Sequence, residues 1–225
     1  MGNYKLSSNL EDYLKAIYLL QKEEGKGTTN GIARAMEVSA PTVTQTLRKL
    51  AGLGFVAYRP YRGVNLTRAG ERIALEVIRH HRLVERFLHQ ALGLSWDRVH
   101  QEADRWEHHL SDEVEESMAE SMNHPTHDPH GAPIPSAELV MVEEDLVTIG
   151  ALEAGEQGTV REVADEDSAL LHYLGCIGLI PGTDFRVLKK DDSTGEMSVE
   201  VEGAPVALSP QAASLIKCSM SSSQG

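Results

Sequence analysis

Between positions 124 and 135 the chain reads His-Pro-Thr-His-Asp-Pro-His-Gly-Ala-Pro-Ile-Pro, four prolines in twelve residues. Proline has no N–H to give a helix or ladder, and it biases the residue before it away from the helical region. The stretch is therefore a linker or an extended surface strap. It separates two halves with different hydrophobic periods, helical spacing before it and short β-type runs after Asp145, so no single uniform architecture fits the whole chain.

The first half opens with Leu10, Leu14, Ile17 and Tyr18 on one face of a helix, and Thr28–Met36 reads as a short second helix. A third follows Ser39, a suitable N-cap, with Pro41 tolerated in its first turn. Val43, Leu47 and Leu50 form its buried stripe, while Thr42, Gln45, Arg48 and Lys49 occupy the opposite face. Gly52-Leu53-Gly54 ends it. Phe55–Tyr58 and Val64–Thr67 then read as two strands joined by the basic turn Arg59-Pro60-Tyr61-Arg62-Gly63. This order is that of a winged helix-turn-helix.

Charge decides between a general surface and a DNA-facing one. The chain as a whole carries −13, which argues against a nucleic-acid binder. Residues 1–72, however, hold eleven Lys/Arg against six Asp/Glu, and the deficit falls entirely on the remainder. A basic first third with an acidic rest points to an anionic partner for the first third alone.

Further on, Arg68–Ala91, Trp96–Leu110 and a segment from Ser111 to about Asn123 read as helices. Nine of the ten histidines lie between positions 80 and 130. On a continuous helix, His100, Asp104, Glu107 and His108 share one face, and His81 and Glu85 are paired at i, i+4. Imidazole and carboxylate from neighbouring helices make divalent-metal sites. His80, His89 and His109 fall off these faces and read as surface residues, and His124, His127 and His130 as part of a polar strap. After Asp145, strands over 158–163, 184–188, 197–201 and 204–208, with a short helix over 169–174, suggest a small β-barrel, and 219–225 a frayed tail.

Enzyme readings find little support. The chain has no HExxH, GxSxG, P-loop or GxGxxG, and the HxxEH pattern fails at Asp104. A metal-dependent hydrolase using the same His/carboxylate cluster is the alternative reading. Two cysteines, Cys176 and Cys218, form no CxxC, which fits a reducing compartment. The longest stretch without charge is short and interrupted, so no membrane span is expected, and the polar N-terminus lacks a signal-peptide pattern. A cytoplasmic protein is the expectation.

Five separated motifs now stand in order: Tyr13–Tyr18, Ser39–Leu47, Tyr61–Thr67, His81–Arg86 and Val99–His108, followed by the strap His130–Pro135. Together they resemble the diphtheria-toxin-repressor family of metal-dependent transcriptional regulators, over roughly residues 6–136. The β-rich remainder looks like the SH3-like domain, related to ferrous-transport accessory domains, that many members carry. The resemblance implies a mainly α fold with small β, in four parts: a winged helix-turn-helix over 1–72, a helical metal-binding and dimerisation domain over 73–123, a Pro/His-rich linker over 124–145 and an SH3-like β-barrel over 146–218. It implies a homodimer on double-stranded operator DNA and two metal sites per protomer.

Carried over by position, the primary site is Asp12, Asp104, Glu107 and His108, and the ancillary site is His81, Glu85 and His100, with Asp167 as a further acceptor from the SH3-like domain. The partner position of Asp167 falls on Leu170, which cannot ligate. Ser39, Pro41, Thr42 and Gln45 are expected to face bases, and Arg48, Lys49, Arg59 and Arg62 to meet phosphates. Iron-type members place Met and Cys where this chain has Asp12 and Asp104. Oxygen in place of sulfur favours harder ions, so Mn²⁺ is preferred, with Fe²⁺ compatible. Strictly binuclear manganese-type members have a Glu where Lys15 stands, so two separated sites are expected. The function implied is repression of metal-uptake genes, switched on by the ion.

Overall fold

A computed structural model describes residues 6–59, 63–142, 144–191 and 193–220. The chain divides into two compact units. One holds residues 1–80, 107–109 and 135–141, and the other holds 81–106, 110–134 and 142–225.

The first unit is a winged helix-turn-helix: α1 (Ser8–Glu24), α2 (Thr29–Ala35), α3 (Ala40–Gly52), the hairpin β1 (Val56–Arg59) and β2 (Gly63–Leu66), and then the first half of α4 (Arg68–Gln90). The Ser39 hydroxyl accepts from Thr42 N at 3.3 Å and starts α3, as its sequence position requires. Tyr13, Leu14, Ile17, Ile32, Val43, Leu47, Leu50 and Val64 meet in one aliphatic core. The hairpin is braced where Val64 N donates to Gly27 O at 3.0 Å. Its register pairs Val56 with Leu66 and Arg59 with Gly63.

The second unit contains the rest of α4, α5 (Val99–Trp106), α6 (Asp112–Ser121) and a six-stranded antiparallel sheet. The strands are β3 (Val147–Thr148), β4 (Gln157–Val163), β5 (Asp184–Lys190), β6 (Met197–Val201), β7 (Ala204–Leu208) and β8 (Ile216–Met220), in the order β3-β8-β4-β5-β6-β7. Register shifts between Val160 and Glu162 and between Val187 and Lys189 add the local bend of an SH3-like sheet. Two helices, α7 (Ser168–Cys176) and α8 (Pro210–Ser214), lie between strands. Val160, Val187, Val199, Leu171, Leu174 and Ile216 are buried together. Ser219 and Met220, expected in a frayed tail, pair with β4 as the end of β8.

The proline-rich segment is an ordered strap. Asp128 Oδ1 accepts from His130 N at 2.8 Å and Ala132 N at 3.0 Å, closing a tight turn without a ladder. Val163 N donates to His130 O at 2.9 Å, tying the turn to β4. Gly131 has φ +88°, and a Cβ there would sit 1.8 Å from Arg161 O, so only glycine fits. Among the described residues no helix is long and apolar enough to cross a membrane.

Candidate metal centres and recognition face

On α3 the expected division of faces holds: Val43, Leu47 and Leu50 are fully buried, and Pro41, Thr42, Gln45, Arg48 and Lys49 are exposed. Ser39 is also exposed, with its hydroxyl engaged in the cap. Arg59 is exposed at the end of β1, while Arg62 lies outside the described residues.

The first carboxylate–imidazole cluster belongs to the first unit. The sequence predicts one helix from Trp96 to Leu110, but α5 begins at Val99 and ends at Trp106, so Glu107 and His108 sit in the turn that follows. They therefore leave the face that carries His100 and Asp104. His108 Nε2 is 2.7 Å from Asp12 Oδ1 and 3.3 Å from Glu107 Oε1, and ligand atoms of the three residues lie within 4.8 Å of one another. On the other side of the ring, His108 Nδ1 is 2.8 Å from Glu11 Oε2. Lys15 Nζ donates to Glu107 Oε2 at 2.8 Å. His80, expected at the surface, is buried, with Nδ1 3.0 Å from Glu107 O. Burial raises the Asp12 carboxyl, and the Glu107 charge adds to it; His108 opposes both without cancelling them.

A second cluster, in the second unit, is larger and drier. His81 Nε2 and His100 Nδ1 lie 3.0 and 3.1 Å from Glu85 Oε1. Asp165, just before α7, places Oδ2 3.3 Å from His100 Nδ1. His130 comes from the strap with its Nε2 2.8 Å from Trp96 O, so a proton on Nε2 is fixed there and Nδ1 turns to Glu85 Oε2 at 3.7 Å. Glu85 Oε2, Asp128 Oδ2 and His130 Nδ1 are buried without a hydrogen-bond partner. Two overlapping sets result, His81/Glu85/His100/Asp165 and Glu85/Asp128/His130/Asp165, each with ligand atoms within 4.8 Å. Three buried atoms without hydrogen bonds suit a cation, because the charges facing them, Arg82 at 3.7 Å from Asp128 Oδ2 and His130 Nδ1 at 3.7 Å from Glu85 Oε2, are too far to replace lost hydration in full.

Electrostatics shows what holds this cluster without an ion. Burial alone would raise the Glu85 carboxyl, but His81, His100 and His130 outweigh it and hold the group well below the usual carboxylate range. For the imidazoles, burial works against the charged form. Asp165 and Glu85 overcome it at His100, whose pKa rises to about 11, and Glu85 overcomes it at His130, which rises to about 9. Asp128, pushed up by burial and by the Glu85 charge, reaches about 7.

Asp104 stands half-exposed in the second unit, 3.4 Å from His81 Nδ1 and 3.8 Å from His100 Nε2. Asp167 is engaged otherwise than expected: its Oδ1 accepts from Ala169 N and Leu170 N at 3.0 Å as the N-cap of α7. The carboxylate that reaches the cluster is Asp165. Sequence reading also passed over Asp128 and His130, because a run of prolines gives no helical or strand period from which to place side chains.

Three family profiles match consecutive parts of the chain. They are the iron dependent repressor N-terminal DNA binding domain over residues 5–64, the iron dependent repressor metal binding and dimerisation domain over 67–136, and the FeoA domain over 147–220. The chain is 34% identical over 195 residues to the diphtheria toxin repressor of Corynebacterium efficiens, covering 82% of this chain and 85% of that one. It is 34% identical over 211 residues to the iron-dependent repressor IdeR of Mycobacterium tuberculosis, covering 88% and 91%. Among solved structures, a manganese-dependent transcriptional repressor in complex with manganese superposes with a TM-score of 0.89 at 36% identity, over 94% of this chain and 100% of that one. The manganese regulator SloR superposes at 0.79 with 31% identity, over 96% and 100%. The chain belongs to the iron-dependent, or diphtheria-toxin-repressor, family of metal-dependent DNA-binding transcriptional repressors, which are not enzymes.

Proposed function

We propose that this chain is a cytoplasmic, homodimeric repressor of metal-uptake genes that binds operator DNA when both clusters hold Mn²⁺, with Fe²⁺ as the second suitable ion. The observation that carries this reading is the convergence of Glu85 Oε2, Asp128 Oδ2 and His130 Nδ1, all buried and none hydrogen-bonded. With Asp165 these make three carboxylates and one imidazole with no thiolate, a set that favours hard, octahedral-preferring ions. The donor set Asp12, Glu107 and His108 is likewise oxygen-rich. The working division of the chain is a DNA-binding part over 1–72, a metal-binding and dimerisation part over 73–123, a strap over 124–145 and an SH3-like part over 146–218.

When bound, the ion would add positive charge and join carboxylates and imidazoles that otherwise meet only through protons and nearby cations. The rest is done by the chain. Asp12 is on α1 of the DNA-binding unit, and Glu107 and His108 are on the turn it meets. Two carboxylates and an imidazole at these distances repel or trade protons, and joining them fixes α1, against which α2 and the β2 strand pack. The sequence reading adds Asp104 to this ligand set. Glu11 holds the His108 ring by Nδ1, so Nε2 is the nitrogen offered to a ligand. Lys15 occupies one oxygen of Glu107, which leaves that carboxylate a single oxygen to give and supports one ion here, not a close pair. On α3, Pro41, Thr42 and Gln45 are exposed to read base edges, and Arg48 and Lys49, with Arg59 on the wing, to meet phosphates.

A gel-shift titration on a metal-transporter promoter, with EDTA, Mn²⁺, Fe²⁺ and Zn²⁺, tests the reading. Retarded DNA should require the metal and vanish with chelator. Asp12→Ala and His108→Ala should weaken the metal response; an unaltered metal requirement in either would remove it from the site. Affinity unchanged by EDTA would overturn metal control altogether.

A further inference from the structure

Beside the second cluster, whose Asp128 lies on its wall, the second unit carries a cleft of about 690 Å³ lined by Arg86, Trp96, Asp97, Arg161, His172 and Cys176, among others. Its floor is a graded chain of side chains. Cys176 Sγ is 3.8 Å from His172 Nε2, one turn back on α7, and His172 Nδ1 is 3.3 Å from Asp97 Oδ2. The Ser95 hydroxyl donates to the other oxygen, Asp97 Oδ1, and this bond above all holds the Asp97 carboxyl below its ordinary range. Asp97 cannot drift from α7, because its neighbour Trp96 lies against Gly175. A Cβ at Gly175 would fall 2.9 Å from the indole nitrogen. Thiol, imidazole and carboxylate are thus in line, with the two ring nitrogens facing opposite partners, which is the order that activates a nucleophilic thiol.

The chain's other thiol is built in the opposite way. Cys218 is fully buried and donates to Val147 O at 3.4 Å. Burial pushes it up to about 11, so it stays a protonated core residue. Cys176 is exposed and lines a cavity larger than a water or a peroxide needs, whose lining also includes Arg86 and Arg161, the latter paired with Glu144 at 3.3 Å.

We propose that Cys176 is a reactive thiol that takes up small, carboxylate-bearing disulfides, with His172 as its proton acceptor and Asp97 holding His172 in place. The Cys176 proton passes to His172 Nε2, and the sulfur attacks one sulfur of the disulfide. The new S–S bond forms as the old one breaks, and the leaving thiolate takes the proton from His172. One disulfide is exchanged for another: the Cys176 sulfur rises to the disulfide level as the departing sulfur falls to the thiol level, so no outside oxidant is needed. No resolving thiol is at hand, so the adduct persists until a second small thiol removes it.

The test is time-resolved intact-mass and peptide mapping of the full chain at neutral pH with oxidised glutathione. One glutathionyl group should appear on Cys176 and none on Cys218. His172→Gln and Asp97→Asn should each slow the reaction about tenfold or more, the scale of a lost proton acceptor. Both substitutions lie on the surface turn or an exposed helix face, and an unchanged circular dichroism spectrum shows that the fold survives. The neutral hydroxyethyl disulfide should react more slowly than oxidised glutathione. Rates unchanged in both variants would reduce Cys176 to an ordinary exposed thiol. Equal rates for the two disulfides would remove the arginines from the site. None of these readouts depends on metal or DNA.

Discussion

The two carboxylate–imidazole clusters use the same residue types and solve their charge problem in opposite ways. In the first, Lys15 is a permanent cation placed 2.8 Å from Glu107, and Asp12 stays partly open to solvent. In the second the cation is Arg82, at the edge and 3.7 Å from Asp128 Oδ2, while the groups around the wholly buried Glu85 are three imidazoles. Lys15 is a donor that cannot ligate and fills one oxygen of Glu107, whereas an imidazole that gives up its proton becomes a ligand. On the proposed reading the second cluster is therefore the more convertible of the two: His100 and His130 hold protons without an ion, and would coordinate one once those protons leave.

The largest effect should come from removing its centre. Glu85→Ala strands the His100 and His130 charges in a dry site, and breaking a buried ionic set of this kind costs about 3 kcal/mol or more. Urea unfolding of the metal-free chain measures it. The same substitution at Asp12, a residue about one-third exposed, should change metal-free stability far less. If the two substitutions were equally costly, the contrast in burial would not be governing the clusters.

Next in size is the pH response. His100 and His130, raised to about 11 and about 9, stabilise the empty fold fully below their unfolded value near 6.5, and that contribution is lost as pH rises through about 9 and then about 11. Coordination demands the opposite state, so metal uptake must expel these protons and part of the one on Asp128, raised to about 7. Mn²⁺ affinity at this cluster should strengthen by up to about tenfold per pH unit per expelled proton between pH 6 and 8. Titration calorimetry in buffers of different ionisation enthalpy counts the protons. An affinity flat in pH, with no proton release, would show that the imidazoles are not ligands.

Lys15→Gln sharpens the comparison from the other side. It removes the cation from Glu107, frees an oxygen and leaves the first cluster one charge more negative. Metal should bind there about tenfold more tightly, a change of about 1.4 kcal/mol. The metal-free unit should lose part of that in stability. Fluorescence or calorimetric titration of the variant, with the second cluster disabled by Glu85→Gln, isolates the site. Unchanged affinity would make Lys15 a bystander.

The sequence reveals the fold more readily than it does these sites. The α3 recognition face is legible because its burial alternates with helical period, and no partner outside the helix is needed to see Val43, Leu47 and Leu50 on one side. Asp12 comes from the resemblance alone, while Glu107 and His108 also follow from helical spacing, on a helix that ends just before them, at Trp106. Asp165 and Asp167 differ by two positions, and composition cannot choose between them. The capping signal could have: an acid immediately before a helical run belongs to the backbone, which removes Asp167 and leaves Asp165 unassigned. His130 and Asp128 were hidden by their setting, since turn residues are placed by long-range packing such as Gly131 against Arg161 O. His80 was misread for a related reason. In the middle of α4, Val77, Ile78, Arg79, His80 and His81 are all buried, so one polar face no longer marks the outside.

The smallest effect concerns Glu11, whose carboxylate meets His108 Nδ1 at 2.8 Å while Nε2 faces Asp12. A carboxylate behind a ligand histidine fixes which nitrogen carries the proton and makes the other more basic. Glu11→Gln keeps the hydrogen bond in form but removes the charge, so the ring is still held without a carboxylate behind it. Mn²⁺ affinity at the first cluster should drop by about tenfold, at the lower end of what such outer partners contribute. The second cluster, whose His130 is held instead by the neutral Trp96 carbonyl, should be untouched. Glu11→Ala, which also frees the ring, should lose more than Glu11→Gln. Equal losses would mean that orientation alone matters here, and no loss in either would place His108 outside the coordinating set.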